Sequence, residues 1–422
     1  MKNSRISVII IALLLTSFLV ACGSDNKKSD DVNISMSPKT AGPIETGKTQ
    51  SFSINVTGTT DTGYTVSAPA GAGCPSGAQS GGIFNCVPTA AGSHTITVTS
   101  SKDTTKSDSA TLTVWAAFAD TTVAGAECWP TIGTGANRIR IAVASNFREP
   151  ADDLIKNWFL PSTYGANTAV QICTGSTGNF NNDFNANGFG DYKMFFAANT
   201  TAGNYEGDTG TTSFVYSEGV PVLAAKKTDI PSVTGLITGK GVSVPEGNVY
   251  TVTEPLAALS ANYEVNTASA QMVSVADSSA PYGVAARDIL NNMMGTSLHG
   301  TVPSWVFSGG NQTNGLWNNI DQTFWAVRDN SVTAGGTTYD TTDVKSGMIA
   351  KSSICSEIAP NVTNPSWVYV EFTNPGITLT QKAILLDPAN ATASKLNDYI
   401  QNAMTTGKWA EFLDKNCYLG AD

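Results

Sequence analysis

The chain has 422 residues, of which 41% are hydrophobic, and its 34 acidic against 24 basic residues leave a net charge of −10. That balance argues against nucleic acid as a partner and against electrostatic attraction to anionic lipid. The length exceeds one typical domain, and with only two histidines (His94 and His299) and no CxxC pair, neither a structural metal nor a His-based catalytic site is expected.

The N-terminus opens with Lys2 and Arg5 and continues as an apolar run over residues 6–20, broken only by Ser7, Thr16 and Ser17. A basic start, a short apolar core and small residues before a cut predict a secretory signal peptide over 1–21, too short for a comfortable membrane span. Leu19, Val20 and Ala21 directly before Cys22 resemble the lipobox of bacterial lipoproteins. The resemblance implies that Cys22 is acylated and that the rest of the chain works outside the cytoplasm, anchored to the cell envelope. Residues 22–31 carry no large apolar side chain and read as a lipidated tether. In lipoproteins an Asp after the acylated Cys favours retention at the inner membrane; here Gly23 stands there, so the resemblance favours the outer membrane. Removing the anchor leaves six of the seven Cys, an even number in an oxidising compartment.

Residues 32–117 are rich in Thr, Ser and Gly, with apolar–polar alternation over 51–56, 94–99 and 110–115. Alternating β-branched residues punctuated by Gly and Pro predict a small antiparallel sandwich. The unit resembles bacterial immunoglobulin-like domains that stand between an anchor and a working domain, and a spacer role is expected of it. Cys74 and Cys86 flank the Gly81-Gly82 turn signal and are expected to pair within this unit.

A bridge over 118–137 leads into a different pattern. An apolar strand over 138–144 ends at Ser145, Asn146 and Phe147, and a helix follows with Leu154, Ile155, Trp158 and Phe159 on one stripe. Its cap has two readings: Asn146 with Glu149 has capping-box spacing, whereas Pro150 suits a first turn. A second strand over 169–173 runs into the Thr-Gly-Ser-Thr-Gly-Asn loop at 174–179 and a helix carrying Phe180 and Phe184. Two strand–loop–helix units in succession predict an α/β fold with a parallel sheet, whose ligands gather at the carboxyl ends of strands beside helix N-termini. Cys128 precedes the first strand and Cys173 ends the second, so these two are expected to pair, leaving Cys355 with Cys417 by elimination.

Motifs continue in order along some 280 residues. They are Val-Ala-Ser-Asn-Phe at 143–147, Gly-Ser-Thr-Gly at 175–178, Tyr-Ser-Glu-Gly-Val-Pro-Val-Leu at 216–223 and Ala-Pro-Tyr-Gly-Val-Ala-Ala at 280–286. Asn-Ile-Asp-Gln-Thr-Phe at 319–324, Ser-Gly-Met-Ile-Ala at 346–350 and Thr-Gln-Lys-Ala-Ile-Leu-Leu at 380–386 follow, and the series closes on a helix through Trp409 and Phe412. The ordered series resembles the molybdate- and tungstate-binding proteins that feed ABC transporters, members of the type II periplasmic binding-protein class. This resemblance implies a two-lobed α/β periplasmic binding-protein fold over 138–419, so that with the all-β immunoglobulin-like sandwich expected at 32–117 the chain is multidomain. Lobe 1 would span about 138–220 and 380–419, and lobe 2 about 221–379.

Carried over residue by residue, the anion contacts fall on Ser145 and Asn146 in the first loop and on Thr177 or Ser176 in the second. Tyr282 and Ile320 occupy helix-opening positions that donate backbone N–H groups. Ala350 stands where some members of the family place a Tyr hydroxyl, so that contact is missing or replaced. Taken singly, a Ser or Thr before a helix is ordinarily an N-cap, and Pro-Tyr-Gly is ordinary turn chemistry. A tetrahedral dianion needs several donors and a dry pocket rather than a formal positive charge. A donor-only pocket would favour molybdate, tungstate or sulfate over phosphate, whose proton would meet no acceptor. Lys226, Lys227, Lys345 and Lys351 lie near the motifs, although solvated lysines are the commoner outcome.

The expected function is therefore capture of a tetrahedral oxyanion for ABC-type uptake, with a permease as partner, no cofactor and no enzymatic activity. An envelope hydrolase is the first rival, but no Gly-x-Ser-x-Gly elbow accompanies the few histidines. The second is an outer-membrane surface protein that reuses the binding-protein fold without transport, since an outer-membrane anchor sits far from an inner-membrane permease.

Overall fold

A computed structural model describes residues 31–118, 123–295, 298, 302–312, 314–358 and 361–420. The expected signal peptide, the expected lipidation site Cys22, the expected tether up to residue 30 and His299 lie outside the described residues. Among those described, no helix is long and apolar enough to cross a membrane.

The first unit is all β. Strands Asn33–Ser37, Gln50–Thr57 and Ile83–Cys86 form one sheet; Thr40–Glu45, Ser107–Trp115, Gly92–Ser100, Tyr64–Ser67 and Gly77–Gln79 form the other. Alternation in sequence becomes alternation in burial, as in Asn33–Ser37, where Ile34 and Met36 point inward and their neighbours outward. Phe52, Tyr64, Phe84, Ile96, Val98 and Leu112 fill one core between the sheets, each such side chain contributing about 1.5–3 kcal/mol by its burial. A Cys74–Cys86 disulfide ties the loop after Ala70–Ala72 to the strand edge.

Two mixed sheets follow. In the first, Asn137–Ala144 lies parallel to both Thr168–Gly175 and Tyr192–Phe196. Leu379–Leu385 returns antiparallel between Tyr192–Phe196 and Phe214–Gly219. In the second, Pro221–Lys226 is central, antiparallel to Val344–Ala350 and Trp367–Phe372, with Met272–Ser274 and Val249–Val252 added in parallel outside them. Each sheet is covered on both faces, the first by cores around Phe147 and Phe180 and the second by cores around Leu290 and Trp317. The central strand Asn137–Ala144 accordingly reads as a continuous buried run rather than an alternating one.

The chain passes from the first sheet to the second at Val220 and returns between Phe372 and Leu379. The C-terminal segment lies at this passage, because Leu419 and Glu218 exchange backbone hydrogen bonds and the Lys351 N–H donates to the Val220 carbonyl. There the Cys355–Cys417 disulfide links the turn after Val344–Ala350 to the end of the last helix. The third disulfide, Cys128–Cys173, joins paired residues of Glu127–Cys128 and Thr168–Gly175.

The stripe of Leu154, Ile155 and Phe159 is buried as expected, but the helix that carries it changes winding. Arg148–Asp153 is α-helical and Leu154–Phe159 is a π-helix. No side chain caps its start; Ser145–Phe147 forms a 3₁₀ turn before it, and Pro150 sits in the first turn.

Candidate functional site

The six residues singled out from sequence meet in one small cavity between the two sheets. Its wall is Ala144, Ser145, Asn146, Gly175, Ser176, Thr177, Ala198, Ala280, Pro281, Tyr282 and Ile320. Each comes from the end of a strand or the start of a helix. Ser145 and Asn146 follow Asn137–Ala144; Ser176 and Thr177 follow Thr168–Gly175 and open the helix Thr177–Asn187. Tyr282 is the second residue of the helix Pro281–Met294, and Ile320 is the first of Ile320–Arg328. Three helix N-termini therefore face one space, and the first N–H groups of a helix have no carbonyl partner of their own. Their positive ends and free donors make the space attractive to an anion.

The cavity is narrow and mostly apolar at its rim. Ala144, Ala198, Ala280 and Ala350 pack with Tyr282 and Ile320 as one buried cluster. The centre of a water-sized sphere can range over about 10 Å³, which is the room one water molecule needs. As the lobes stand, an oxyanion, an amino acid or a sugar would each need the wall to move before it could enter.

The hydroxyls differ in what they already do. Ser145 Oγ is buried with no hydrogen-bond partner. Ser176 is the N-cap, its Oγ accepting from Asn179 N at 3.1 Å. Thr177 Oγ1 accepts from Ala198 N at 2.9 Å, which leaves its proton to donate. Ala350 is buried in the same cluster as Tyr282 and Ile320 and supplies no hydroxyl.

Sequence reasoning missed the buried polar network behind the cavity. Asn146 Nδ2 donates to Gln381 Oε1 at 3.0 Å and to the Tyr418 hydroxyl at 2.9 Å. Tyr216 donates to the same Gln381 oxygen at 2.7 Å, and Gln381 Nε2 donates to the Tyr282 hydroxyl at 3.2 Å. Tyr418 and Ser352 both donate to the Asn146 carbonyl, each at 2.8 Å. Burial drives the Tyr216 and Tyr282 hydroxyls well above the ordinary phenol range, so both stay protonated. Asn146 Oδ1 is left buried without a partner. With the amide in this orientation, the atom of Asn146 left outside the network is an acceptor rather than a donor. Gln381 sits inside the Thr-Gln-Lys-Ala-Ile motif, where its polarity at a buried strand position was the available signal.

None of the four lysines near the motifs lines the cavity. Lys351 pairs with Glu371 at 2.6 Å, and Lys345 donates to the Thr342 carbonyl. The charge nearest the site is an ion pair across the lobes, with Arg148 Nε 3.4 Å from Asp321 Oδ2. Arg148 is stacked over Trp129 at 4.5 Å. Burial pushes the Asp321 carboxyl up to about 7, opposed by Arg148. A further interlobe contact is the Gly178 N–H, which donates to the Ser279 carbonyl at 3.0 Å. His94 lies in the sandwich, one ring nitrogen 2.9 Å from the Ala90 carbonyl. No cluster of residues suited to a metal ion occurs among the described residues.

No family model matches the chain, and no curated protein matches it. Solved structures similar to it include a tungstate-binding protein from Desulfovibrio alaskensis, 14% identical, with a TM-score of 0.36 over 64% of this chain and 93% of the other. CbnR, a LysR family transcriptional regulator, gives 8% identity and a TM-score of 0.37 over 64% and 70% of the two chains. An ancestral arginine-binding protein gives 10% and 0.35 over 66% and 98%. At these scores the likenesses carry no functional weight.

Proposed function

We propose that residues 138–419 capture a tetrahedral oxyanion between the two lobes, with molybdate or tungstate the first candidates, for ABC-type uptake from the cell envelope. In this reading the chain is a lipoprotein held through Cys22, and the sandwich is an immunoglobulin-like unit between anchor and receptor. One observation carries the proposal: Ser145 Oγ, a hydroxyl able to donate, is buried without a partner on a residue that lines a cavity faced by three helix N-termini. An unpaired buried polar group costs about 1–3 kcal/mol, so the Ser145 hydroxyl points to a ligand that accepts from it. Binding energy would come from hydroxyl and backbone donors held in place before the ligand arrives, with no lysine or arginine reaching it.

The test is calorimetry and thermal melting of residues 32–422 with molybdate, tungstate, sulfate and phosphate. A ligand selective for the folded state raises the melting temperature with concentration. No heat and no melting shift with any of the four, from folded and ligand-free protein, would refute the proposal and leave a binding-protein fold reused for another purpose.

A further inference from the structure

Among the described residues the two lobes are joined covalently at three places rather than two. The chain passes between them at Val220 and again between Phe372 and Leu379, and these passages lie side by side because Gly219 pairs with Leu379. The third junction is the Cys355–Cys417 disulfide, which closes a sequence separation of 62. On one side of it, Ile354 and Ile358 are buried in the core of the second sheet. On the other, Phe412, Leu413 and Tyr418 flank Cys417 and are buried in the core of the first. The bond therefore links closely packed parts of both lobes, and neither end can shift without disturbing a core.

Further contacts tie the C-terminal segment to the first lobe. Lys415 pairs with Asp153 at 2.8 Å, and Leu419 and Glu218 exchange backbone hydrogen bonds. The Tyr418 hydroxyl donates to the Asn146 carbonyl at 2.8 Å. Ser352, from the same turn as Cys355, donates to that carbonyl as well. Both ends of the disulfide thus converge on the backbone of a residue that lines the anion cavity. Two adjacent passages alone would leave the lobes free to swing about them as a hinge. A third link removes that freedom unless the C-terminal segment or the turn gives way.

We propose that the segment over 416–419, clamped by Cys355–Cys417, is a strap that holds the lobes together over the empty cavity and sets the rate at which a ligand enters and leaves. The wall must move before an oxyanion enters, so each entry requires the strap to give. The Gly178 N–H, which donates to the Ser279 carbonyl across the cleft at 3.0 Å, reports the same opening without any ligand. Because the strap favours the closed arrangement whether or not the site is filled, freeing it speeds entry and release together and does not tighten binding. The inference rests on the oxyanion reading for its ligand, though not for the motion.

The test compares wild type, Cys355→Ala/Cys417→Ala and, as a control in the sandwich, Cys74→Ala/Cys86→Ala. Hydrogen exchange at the Gly178 amide is read without ligand, and tungstate binding by stopped-flow fluorescence. Removing the strap's disulfide should speed Gly178 exchange by about tenfold, as a cheaper local opening does. Tungstate should then associate and dissociate faster with an affinity no better than that of wild type, while the control matches wild type in both measurements. Unchanged Gly178 exchange, or an equal acceleration in the control, would overturn the strap. So would faster dissociation without faster association, which is the mark of lost packing alone. Should the Cys355→Ala/Cys417→Ala protein not fold, Tyr418→Phe keeps the ring in the first core and removes its hold on the Asn146 carbonyl; Gly178 exchange no faster than in wild type would then overturn the proposal. Wild type that binds no tungstate, sulfate, molybdate or phosphate would remove the oxyanion reading, and Gly178 exchange would still decide the strap.

Discussion

At the scale of single residues, two hydroxyls that look alike in sequence have different duties and should fail differently. Ser145 Oγ has no partner within the protein, so Ser145→Ala removes a desolvated group whose loss costs the fold nothing. Its melting temperature without ligand should equal or exceed that of wild type, while oxyanion affinity falls by about 1–3 kcal/mol. Thr177 Oγ1 accepts the buried Ala198 N–H, so Thr177→Val should lower affinity and stability together. Ile320→Val should leave affinity nearly unchanged, because only the backbone of that residue is available to a ligand. Melting curves paired with calorimetry check all three, and a Ser145→Ala protein that melts well below wild type would contradict the assignment.

Asp321 gives a pH-dependent counterpart. It sits one residue past Ile320 and is buried, facing Arg148 and Glu149 from the preceding lobe, Glu127 from the neighbouring strand and Arg328 from its own helix. Burial raises its carboxyl from 3.8 to about 7, and Arg148 offsets only part of that. The folded protein thus holds a proton that the unfolded chain releases. This contribution to stability is complete below the unfolded value of about 4 and is lost as pH rises through about 7. Asp321→Asn should therefore match wild type in melting temperature at acid pH and exceed it at about pH 8. A variant that is less stable at that alkaline pH would show that the Arg148 pair outweighs the burial.

At the scale of elements, the Thr177–Asn187 helix owes its position to a glycine. A Cβ at Gly178 would lie 2.5 Å from the Ser279 carbonyl oxygen in the opposite lobe, while within its own helix Ala is the better residue by about 1 kcal/mol. Gly178→Ala should hold the lobes apart without harming the fold. The expected result is unchanged or raised stability without ligand and a markedly weaker oxyanion affinity; intact affinity would mean that the lobes need not meet this closely. This requirement was only half legible in the sequence. The Gly-Ser-Thr-Gly loop marked a strand-to-helix turn, but which lobe Gly178 approaches depends on a contact with a distant part of the chain. The loops bearing Ser145, Asn146, Ser176 and Thr177 could be read because each follows a short apolar strand and precedes a helix, a local pattern. Tyr216 and Tyr418 could not be, since each sits in an ordinary-looking strand or tail and acquires its role from a partner 165 or 272 positions away, and Gln381 offered only its polarity within a strand. The π-wound second half of the first helix was equally invisible, because its apolar stripe suits either winding.

At the scale of the whole molecule, the sandwich is more than a bead on a string. Trp115, the last residue of its final strand, donates through Nε1 to the Gly135 carbonyl at 2.7 Å. Arg138, at the head of the first strand of the α/β unit, reaches back to Glu45 at 2.8 Å and to the Ala116 carbonyl at 2.7 Å. Its guanidinium also lies 3.9 Å from the centre of the Phe118 ring and 4.9 Å from that of Trp115, and its side chain is 4% exposed. An arginine buried this far, sharing a carboxylate, a carbonyl and two aromatic faces, fixes an orientation that an exposed pair would not. The expected spacer is then a rigid one, which sets the direction in which the cleft faces relative to the N-terminal end of the chain. Arg138→Ala should release the joint while leaving both folded units intact. Limited proteolysis should then cut wild type slowly and the variant quickly at Trp115 and Phe118, with anion affinity the same in both. Equal cutting rates would show that Trp115 and the chain itself hold the joint without the arginine.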